Sequence, residues 1–564
     1  MTAVQRLVAN GNSIINFLKN FSSNVAQDVG IEWLNDDGTV ETKTFPNIQK
    51  FQDSVNLKNV DGKIVDNTGA DVKVEDTNKI GGMTKDEVVA SLYGNLDVTR
   101  RFKFLINTAR SFPERWMVGV NYNDDLVFWG YENHYVSGAA QQYGDNLGFK
   151  IIPQPFEKVA GGIKIKELKA FTWGLYVLYE DNDLYVLGYN NYGQLGTGNT
   201  ASVTKLTKVL SDVSKVEISS HGYHQDQIST LVLKTDGTVW GAGKNSYGQL
   251  SRGTTTDNMN TFEKCQFTSD LEYTDTIIDV FVTDTNVIST YCLTDTGKVF
   301  ASGWNGDGGA LGLGDTTNRS TFSLVGGDLA TEKVVEMVTS GGTRNGDTAY
   351  YRHSVLVRCE SGKLYSWGNN EQGNLGIGST VSQAAPVEIP WDVDTQGNVT
   401  KLITSRGSWT NYYALTDLDK LYAWGHNGYG SLGIGNTTGN ISSPTLASEN
   451  VLDAYTLMGG ATYCYHNGIV VLLKDGQIMT AGQNTGGVLG NNTTSDSNGV
   501  LGPLLASFKS SEVKQVSVGG HSSAGALYFL LNDGRVYATG ENSYQNVSVY
   551  HTGANQPVPC LIGV

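Results

Sequence analysis

The segment Tyr189-Asn190-Asn191-Tyr192-Gly193-Gln194-Leu195-Gly196-Thr197-Gly198 returns in variant form, at a near-constant interval, to the end of the chain. No other feature limits the possible folds as strongly, because self-similarity at a fixed period is the mark of a repeat architecture. Later copies include Lys244-Asn245-Ser246-Tyr247-Gly248-Gln249-Leu250, Asn370-Glu371-Gln372-Gly373-Asn374-Leu375-Gly376 and Asn427-Gly428-Tyr429-Gly430-Ser431-Leu432-Gly433. A degenerate copy, Trp129-Gly130-Tyr131-Glu132-Asn133, precedes them. The opening asparagines fall at 133, 190, 245, 305, 370, 427, 484 and 542, so successive steps are 57, 55, 60, 65, 57, 57 and 58 residues.

The residues before each copy define what is repeated. Leu231-Val232-Leu233-Lys234, then Thr235-Asp236-Gly237-Thr238, then Val239-Trp240-Gly241-Ala242 reads as strand, turn and strand, and Asp475-Gly476 and Asp533-Gly534 repeat the turn. An Asp-Gly pair between apolar runs is a strong hairpin signal. A β-branched run upstream (Val216-Glu217-Ile218) and an apolar run downstream (Pro386-Val387-Glu388-Ile389) bring each repeat to four short strands. Four-stranded units repeated radially are propeller blades.

The apolar hairpin, the Trp-Gly-x-Asn step and the Gly-Gln-Leu-Gly-x-Gly turn together resemble the repeat of the regulator-of-chromosome-condensation family, over roughly residues 100 to 564. The resemblance implies an all-β propeller, preceded here by a small mixed α/β N-terminal region. Eight strand sets can be counted, the first hairpin spanning Met117 to Gly130 and the last Tyr528 to Gly540. The count favours eight blades; seven, the family's usual number, stays open. In this reading the motif is scaffold: its glycines permit positive φ and its Asn and Gln side chains bond free backbone groups. Trp129, Trp240, Trp367 and Trp424, at one repeat position, are assigned to packing.

The family's founding members bind chromatin through a basic tail and act as exchange factors for a small GTPase. This chain has no such tail and carries a net charge of −16, so neither that activity nor a nucleic-acid partner is expected. No stretch is apolar enough to span a membrane, and the first residues lack a signal peptide's charged and apolar regions, so neither membrane insertion nor Sec export is expected. Cys265, Cys292, Cys359, Cys464 and Cys560 lie in different repeats without CxxC spacing, which suggests neither a zinc site nor a disulfide framework.

Residues 1–95 stand outside the repeat and form the first domain of this reading; 96–564 form the second. Asn12 to Ala26 has helical apolar spacing, and Gly30 to Glu41 reads as a hairpin. Residues 55–78 are thin in apolar side chains. The stretch Val74 to Val88, with Lys79-Ile80-Gly81-Gly82-Met83-Thr84, is similar to an element of bacteriophage tail fibres, with Thr84 and Glu87 fitting a helix capping box. That resemblance implies a homotrimer in a virion tail, attached to other virion proteins through residues 1–95.

For catalysis the sequence offers no His pair at metal-ligand spacing, no nucleophile elbow and no P-loop. His224, His353, His466 and His521 stand just before second strands, where a structural hydrogen bond is expected. Asp181-Asn182-Asp183 lacks the spacing of a calcium loop. No enzyme activity, cofactor or metal is therefore expected. Binding is better supported, because the connections between first and second strands carry Tyr223, Tyr350, Tyr351, Trp409, Tyr412, Tyr463 and Tyr465, which a propeller gathers on one face. The reading is a tail fibre or tail-tip protein presenting this face to a host surface receptor, glycan or protein, or to a virion protein. The alternatives are a propeller-type inhibitor or regulator of a partner protein and, behind it, a glycan-degrading enzyme, which needs two carboxylates about 5–9 Å apart.

Overall fold

A computed structural model describes residues 101–107, 116–131, 145–541 and 555–562, apart from 172, 220–227, 284–286, 345–346, 406–408, 438, 459–466 and 522–523. Before residue 101 it describes six short strands. They pair as three antiparallel hairpins: Val29–Leu34 with Val40–Phe45, Lys58–Val60 with Lys63–Val65, and Lys79–Ile80 with Met83–Thr84. The expected Gly30 hairpin is the first of these. In the third, Ile80 pairs with Met83 and Thr84 ends a strand; the helices expected at 12–26 and after Thr84 lie outside the described residues.

The chain divides into two compact units. One holds the N-terminal region through Lys103 with two short pieces, 121–123 and 531–535; the other holds nearly all of the repeat region.

The strands of the repeat region form eight four-stranded antiparallel sheets. All eight have sequential strand order. Blade 1 uses Phe102–Asn107, Trp116–Asn121, Leu126–Tyr131 and Asp145–Ile152; blade 8 uses Val513–His521, Ala524–Leu531, Val536–Gly540 and Gln556–Leu561. Each blade thus comes from one uninterrupted segment, and the count is eight. The ring closes at the innermost strands: Gln515 of blade 8 accepts from the Leu105 N–H (3.0 Å) and donates to the Leu105 carbonyl (2.6 Å). Glu336, at the same strand position in blade 5, accepts from Leu402 N–H of blade 6 (2.9 Å).

Burial follows strand position. Second and third strands, such as Gly174–Tyr179 and Leu184–Gly188, are buried throughout, while the fourth, Val203–Leu210, is mostly exposed on one side. Apolar clusters sit between sheets; one joins Tyr291, Val299 and Leu311 of blade 4 to Met337, Val355 and Trp367 of blade 5. Because the strands are antiparallel, the connections from first to second and third to fourth strands emerge at one end of the blades, here called the upper end. The second-to-third turns and the inter-blade links emerge at the lower end. The Asp-Gly turns work as the sequence implies: Asp236 Oδ1 accepts from Thr238 N–H (2.9 Å) and Gly237 takes φ +79°. Blades 2 and 6 place Asn182 (φ +64°) and Asp419 (φ +58°) there instead, residue types that tolerate this conformation.

The motif is an inter-blade hook. Asn190 is fully buried; its Oδ1 accepts from Leu195 N–H (2.8 Å) and its Nδ2 donates to the Asn199 carbonyl (2.9 Å). Asn245, Asn305, Asn370, Asn427 and Asn484 close the same ring onto the motif leucine. The loop ends then bond the outer strand of the next blade, Gly198 N–H to Asn260, Gly253 to Ser320, Gly314 to Ala384 and Gly378 to Ser442, while Gly435 bonds Gly499 just before that strand in blade 7. Trp367 and Trp424 are fully buried, and their indoles donate back to Ala310 and Asn374 of the preceding motif (3.0 Å each). A Cβ on Gly376 would lie 2.8 Å from the Trp424 indole nitrogen. Trp240 is only half-buried, its indole bonded to Thr238 within its own hairpin.

Candidate partner-binding face

At the upper end of blades 5 and 6, side chains from both blades meet in one array. In blade 5 the first two strands, Val334–Arg344 and Asp347–Cys359, run on past the third, Leu364–Gly368, whose pairing stops at Ser354. Arg352, just beyond that point, is buried and donates through Nε and Nη2 to Glu371 Oε2 (3.2 and 3.0 Å). Its guanidinium lies 5.6 Å from the ring centre of Trp409 in blade 6. The Trp409 indole stacks on His426 at 4.1 Å and 26°, and His426 Nδ1 accepts from Gly428 N–H (3.2 Å). Burial and the nearby Arg352 charge lower the His426 pKa to about 4, so this imidazole is neutral near pH 7. A second indole–imidazole pair stands one blade interface away, Trp304 against His353 at 4.9 Å. His353 Nδ1 meets Ser289 Oγ at 3.0 Å, and burial lowers its pKa to about 3.

Tyr429 follows His426 by three residues in the blade 6 motif. It is 43% exposed and adopts φ +57°, a conformation uncommon for a bulky residue. Beneath the stacked rings, Gln372 Oε1 accepts from Thr410 N–H (3.0 Å), while Gln372 Nε2, Thr410 Oγ1 and Asn411 Oδ1 are buried without a hydrogen-bond partner. Each such atom costs about 1–3 kcal/mol. Their concentration at one seam marks a place where the sequence is not optimised for stability.

Two of the seven residues expected on this face are described with their side chains. Trp409 is there, half-buried against His426 and Arg352. Tyr412 is not: it is fully buried between blades 5 and 6, with its hydroxyl 3.0 Å from Ser354 Oγ and 3.1 Å from Ser340 Oγ. The strand Asn411–Thr416 begins one residue before it, and a second strand is covered on both sides. Tyr350 and Tyr351 lie in the extended second strand of blade 5, their side chains outside the description; Tyr223, Tyr463 and Tyr465 lie outside the described residues. Sequence reasoning missed Arg352, Glu371, His426 and Tyr429. Only Tyr429 left a trace, as a tyrosine in a turn whose counterparts in blades 4 and 7 have glycine.

Asp181 and Asp183 both close on Lys158 Nζ (2.5 and 2.7 Å). Among the described residues no group of three or more His, Cys, Asp or Glu side chains could hold a metal ion, and no helix is long and apolar enough to cross a membrane. Cys265, Cys292 and Cys359 are buried free thiols.

Comparison with known proteins agrees with the repeat. Two family models, each described as the Regulator of chromosome condensation (RCC1) repeat, match residues 181–224 and 361–404 in one case and 222–249 in the other. The chain is 25% identical over 449 residues to the E3 ubiquitin-protein ligase HERC2 of Homo sapiens, covering 78% of this chain and 8% of that protein. It is 30% identical over 257 residues to the Ultraviolet-B receptor UVR8 of Arabidopsis thaliana, covering 45% and 51%. The chain thus spans at most about half the length of these relatives. Among solved structures, human WBSCR16 aligns with TM-score 0.46 at 18% identity over 69% of this chain and 95% of that one. Yeast RCC1 (Prp20), solved bound to Kap60, aligns with TM-score 0.47 at 18% identity over 67% and 83%. Strand order and hooks make this chain an eight-bladed β-propeller, and over residues 181–249 and 361–404 it is similar to the regulator-of-chromosome-condensation repeat.

Proposed function

We propose that the chain is a non-enzymatic propeller that regulates or tethers a protein partner through the upper end of blades 5 and 6. The observation that carries this is Tyr429, an exposed aromatic side chain on a strained backbone three residues after His426 of the Glu371–Arg352–Trp409–His426 array. Strain of this kind clusters at functional sites, and aromatic and Arg residues dominate the binding energy of protein interfaces. The named relatives HERC2 and UVR8 are cellular proteins, which supports a regulator more than a virion component. The ligase activity in the name HERC2 is not carried over, since the chain covers 8% of that protein.

The test compares the intact chain with its Tyr429→Ala and Glu371→Ala forms as bait in quantitative mass spectrometry. A protein retained by the intact chain and lost with both substitutions supports the reading. Identical retained sets remove it.

A second reading, a virion fibre in a phage tail that attaches through residues 1–95 and meets a host receptor with the propeller, rests on the Lys79–Thr84 element. Its pairing of Lys79–Ile80 with Met83–Thr84 is compatible with that resemblance. The solution mass of the full chain decides it: a trimer sustains the fibre, and a monomer removes it.

A further inference from the structure

The motif of one blade meets the second strand of the next: Thr230 and Thr290 donate through their hydroxyls to the Gln194 and Gln249 carbonyls of the preceding motifs (3.1 and 2.8 Å). At this contact the blade 5–6 seam differs from its counterparts. The residue just before the second strand is Ile228 in blade 3 and Ile288 in blade 4, each buried in the apolar cluster of its seam. In blade 6 it is Thr410, also buried. One backbone bond fixes the equivalence, since the carbonyls of Ile228, Ile288 and Thr410 accept from Lys244, Trp304 and His426 N–H (2.9, 2.9 and 3.1 Å). The third motif position of the blade before holds Tyr192, Tyr247 and, in blade 5, the buried Gln372.

Both positions thus turn polar together in this seam. Gln372 Oε1 accepts from Thr410 N–H (3.0 Å), which brings the carboxamide to the residue that carries the hydroxyl. Yet Gln372 Nε2 and Thr410 Oγ1, both shut off from solvent, bond neither each other nor any other protein group. Elsewhere in the seam the polar groups satisfy one another: Asn374 Nδ2 donates to Ser354 Oγ (2.8 Å), and the Ser354, Ser340 and Tyr412 hydroxyls lie 2.7–3.1 Å apart. A carboxamide nitrogen only donates, whereas a hydroxyl both donates and accepts. The partner these two atoms call for accepts from Nε2, bonds Oγ1 in either sense and is small enough for an enclosed site. An apolar occupant leaves both groups unpaired, and a cation faces an N–H donor.

We propose that the blade 5–6 seam binds a single water molecule, which accepts from Gln372 Nε2 and bonds Thr410 Oγ1. Buried waters bridge otherwise unpaired polar groups in this way, and this one offsets the cost that the two groups carry without it. It also sets the orientation of the carboxamide, whose oxygen holds Thr410 N–H directly after Trp409, so the site anchors the base of the array. The water site is independent of whether that array captures a protein partner.

A crystal structure of the full chain, at a resolution that shows ordered solvent, should contain one solvent peak within hydrogen-bond distance of both atoms. No peak there, or Gln372 Nε2 and Thr410 Oγ1 bonded to each other or to other protein groups, overturns the proposal. Thermal unfolding of Thr410→Val gives a second, independent sign. With the water in place the substitution strips it of a partner and strands Gln372 Nε2, so the transition should fall by about 1–3 °C. Without the water a methyl group replaces an unpaired buried hydroxyl, and the transition rises; an unchanged or raised transition therefore overturns the proposal. Thr410→Ser, which keeps the hydroxyl, should keep the solvent peak, and Thr410→Val should lose it.

Discussion

The motif turns of blades 2 and 3 differ from those of blades 4, 6 and 7 in one backbone angle, and a side chain two residues downstream accounts for it. In blades 2 and 3 the amide oxygens of Gln194 and Gln249 accept from Tyr192 and Tyr247 N–H (3.1 and 2.9 Å), and both tyrosines keep negative φ. Blades 4, 6 and 7 have Ala310, Ser431 and Val488 at the glutamine position, and the residue two before turns to positive φ: Gly308 (+102°), Tyr429 (+57°) and Gly486 (+76°). Losing the amide therefore flips the turn, and two of the three flipped turns supply the glycine that the new angle favours. Blade 6 does not. In blade 5 the shorter Asn374 bonds Ser354 and Asn369, and Gln372 stays unflipped with its side chain held by Thr410.

Ser251 sharpens the contrast. It holds φ +53° where other motifs have glycine after the leucine, and its hydroxyl donates to the Gln266 carbonyl and accepts from Phe322 N–H, both at 2.6 Å. Its strain is offset by two buried bonds across a blade seam. Tyr429 has an exposed ring and no comparable return, which is why its strain points outward, to binding.

The largest expected effect tests what the two turn types share. Asn245→Ala leaves the buried Leu250 N–H without its partner and removes the bond to the Thr254 carbonyl, a loss of roughly 3 kcal/mol in denaturant unfolding. Asn427→Ala in the flipped turn should lose as much, because the asparagine ring is common to both. A much smaller loss there would mean that the flip reorganises the whole loop.

Acid comes next, since the flipped turns of blades 4 and 6 each hold an indole–imidazole pair. His353 and His426 have folded-state pKa values lowered to about 3 and about 4, below the ordinary value near 6.5. The unfolded chain therefore binds protons first, and the stability these groups contribute is fully present above about pH 6.5 and lost as pH falls toward the folded values, at up to about 1.4 kcal/mol per pH unit for each. His353→Asn should flatten the stability–pH curve between about pH 6 and 4, and His426→Asn should flatten it less at the low end. Equal slopes in all three proteins would show that neither imidazole is held neutral.

Much of this is legible in the sequence alone. The Asp-Gly turns, the Trp-Gly step and the regular spacing give strands, blades and their number, because each signal is local and repeats. The asparagines as scaffold follow from side chains that can bond only nearby backbone. The binding face is less legible. Tyr412 falls on it in the sequence reading because strand ends are hard to read, and a strand covered on both sides buries aromatic residues at either parity. Arg352 and Glu371 meet only through the folding of blade 5. The short helix Phe156–Ala160, which buries Lys158 and exposes Phe156 and Val159, is invisible, because Phe156-Glu157-Lys158-Val159 taken alone reads as an amphipathic turn with its apolar face inward; the reversal depends on Asp181, Asp183 and Tyr185, more than twenty residues away.

A smaller effect, about 2 kcal/mol, tests cause and effect in the turn itself. Gln249→Ala removes the acceptor for Tyr247 N–H and the bond from Nε2 to Ser229 Oγ (3.2 Å). In a Tyr247→Gly background the turn can flip without strain, so the same substitution should lose less, with a coupling of about 1 kcal/mol in the double-mutant cycle. Additive losses would break the link between the amide and the angle.

The smallest effect has the opposite sign. Tyr429→Gly removes the side chain that disfavours φ +57°, worth about 1–2 kcal/mol, and adds the greater unfolded-state entropy of glycine, about 0.5–1 kcal/mol. The net gain in stability should be up to about 1 kcal/mol, read as a rise in the unfolding midpoint. Ser251→Gly, by contrast, loses two buried bonds and should not gain. A residue that lowers stability where glycine would raise it, and whose loss also abolishes partner capture, is held for binding. If Tyr429→Gly instead destabilises the fold, the ring packs on the turn and supports it, and Tyr429 joins Ser251 as scaffold.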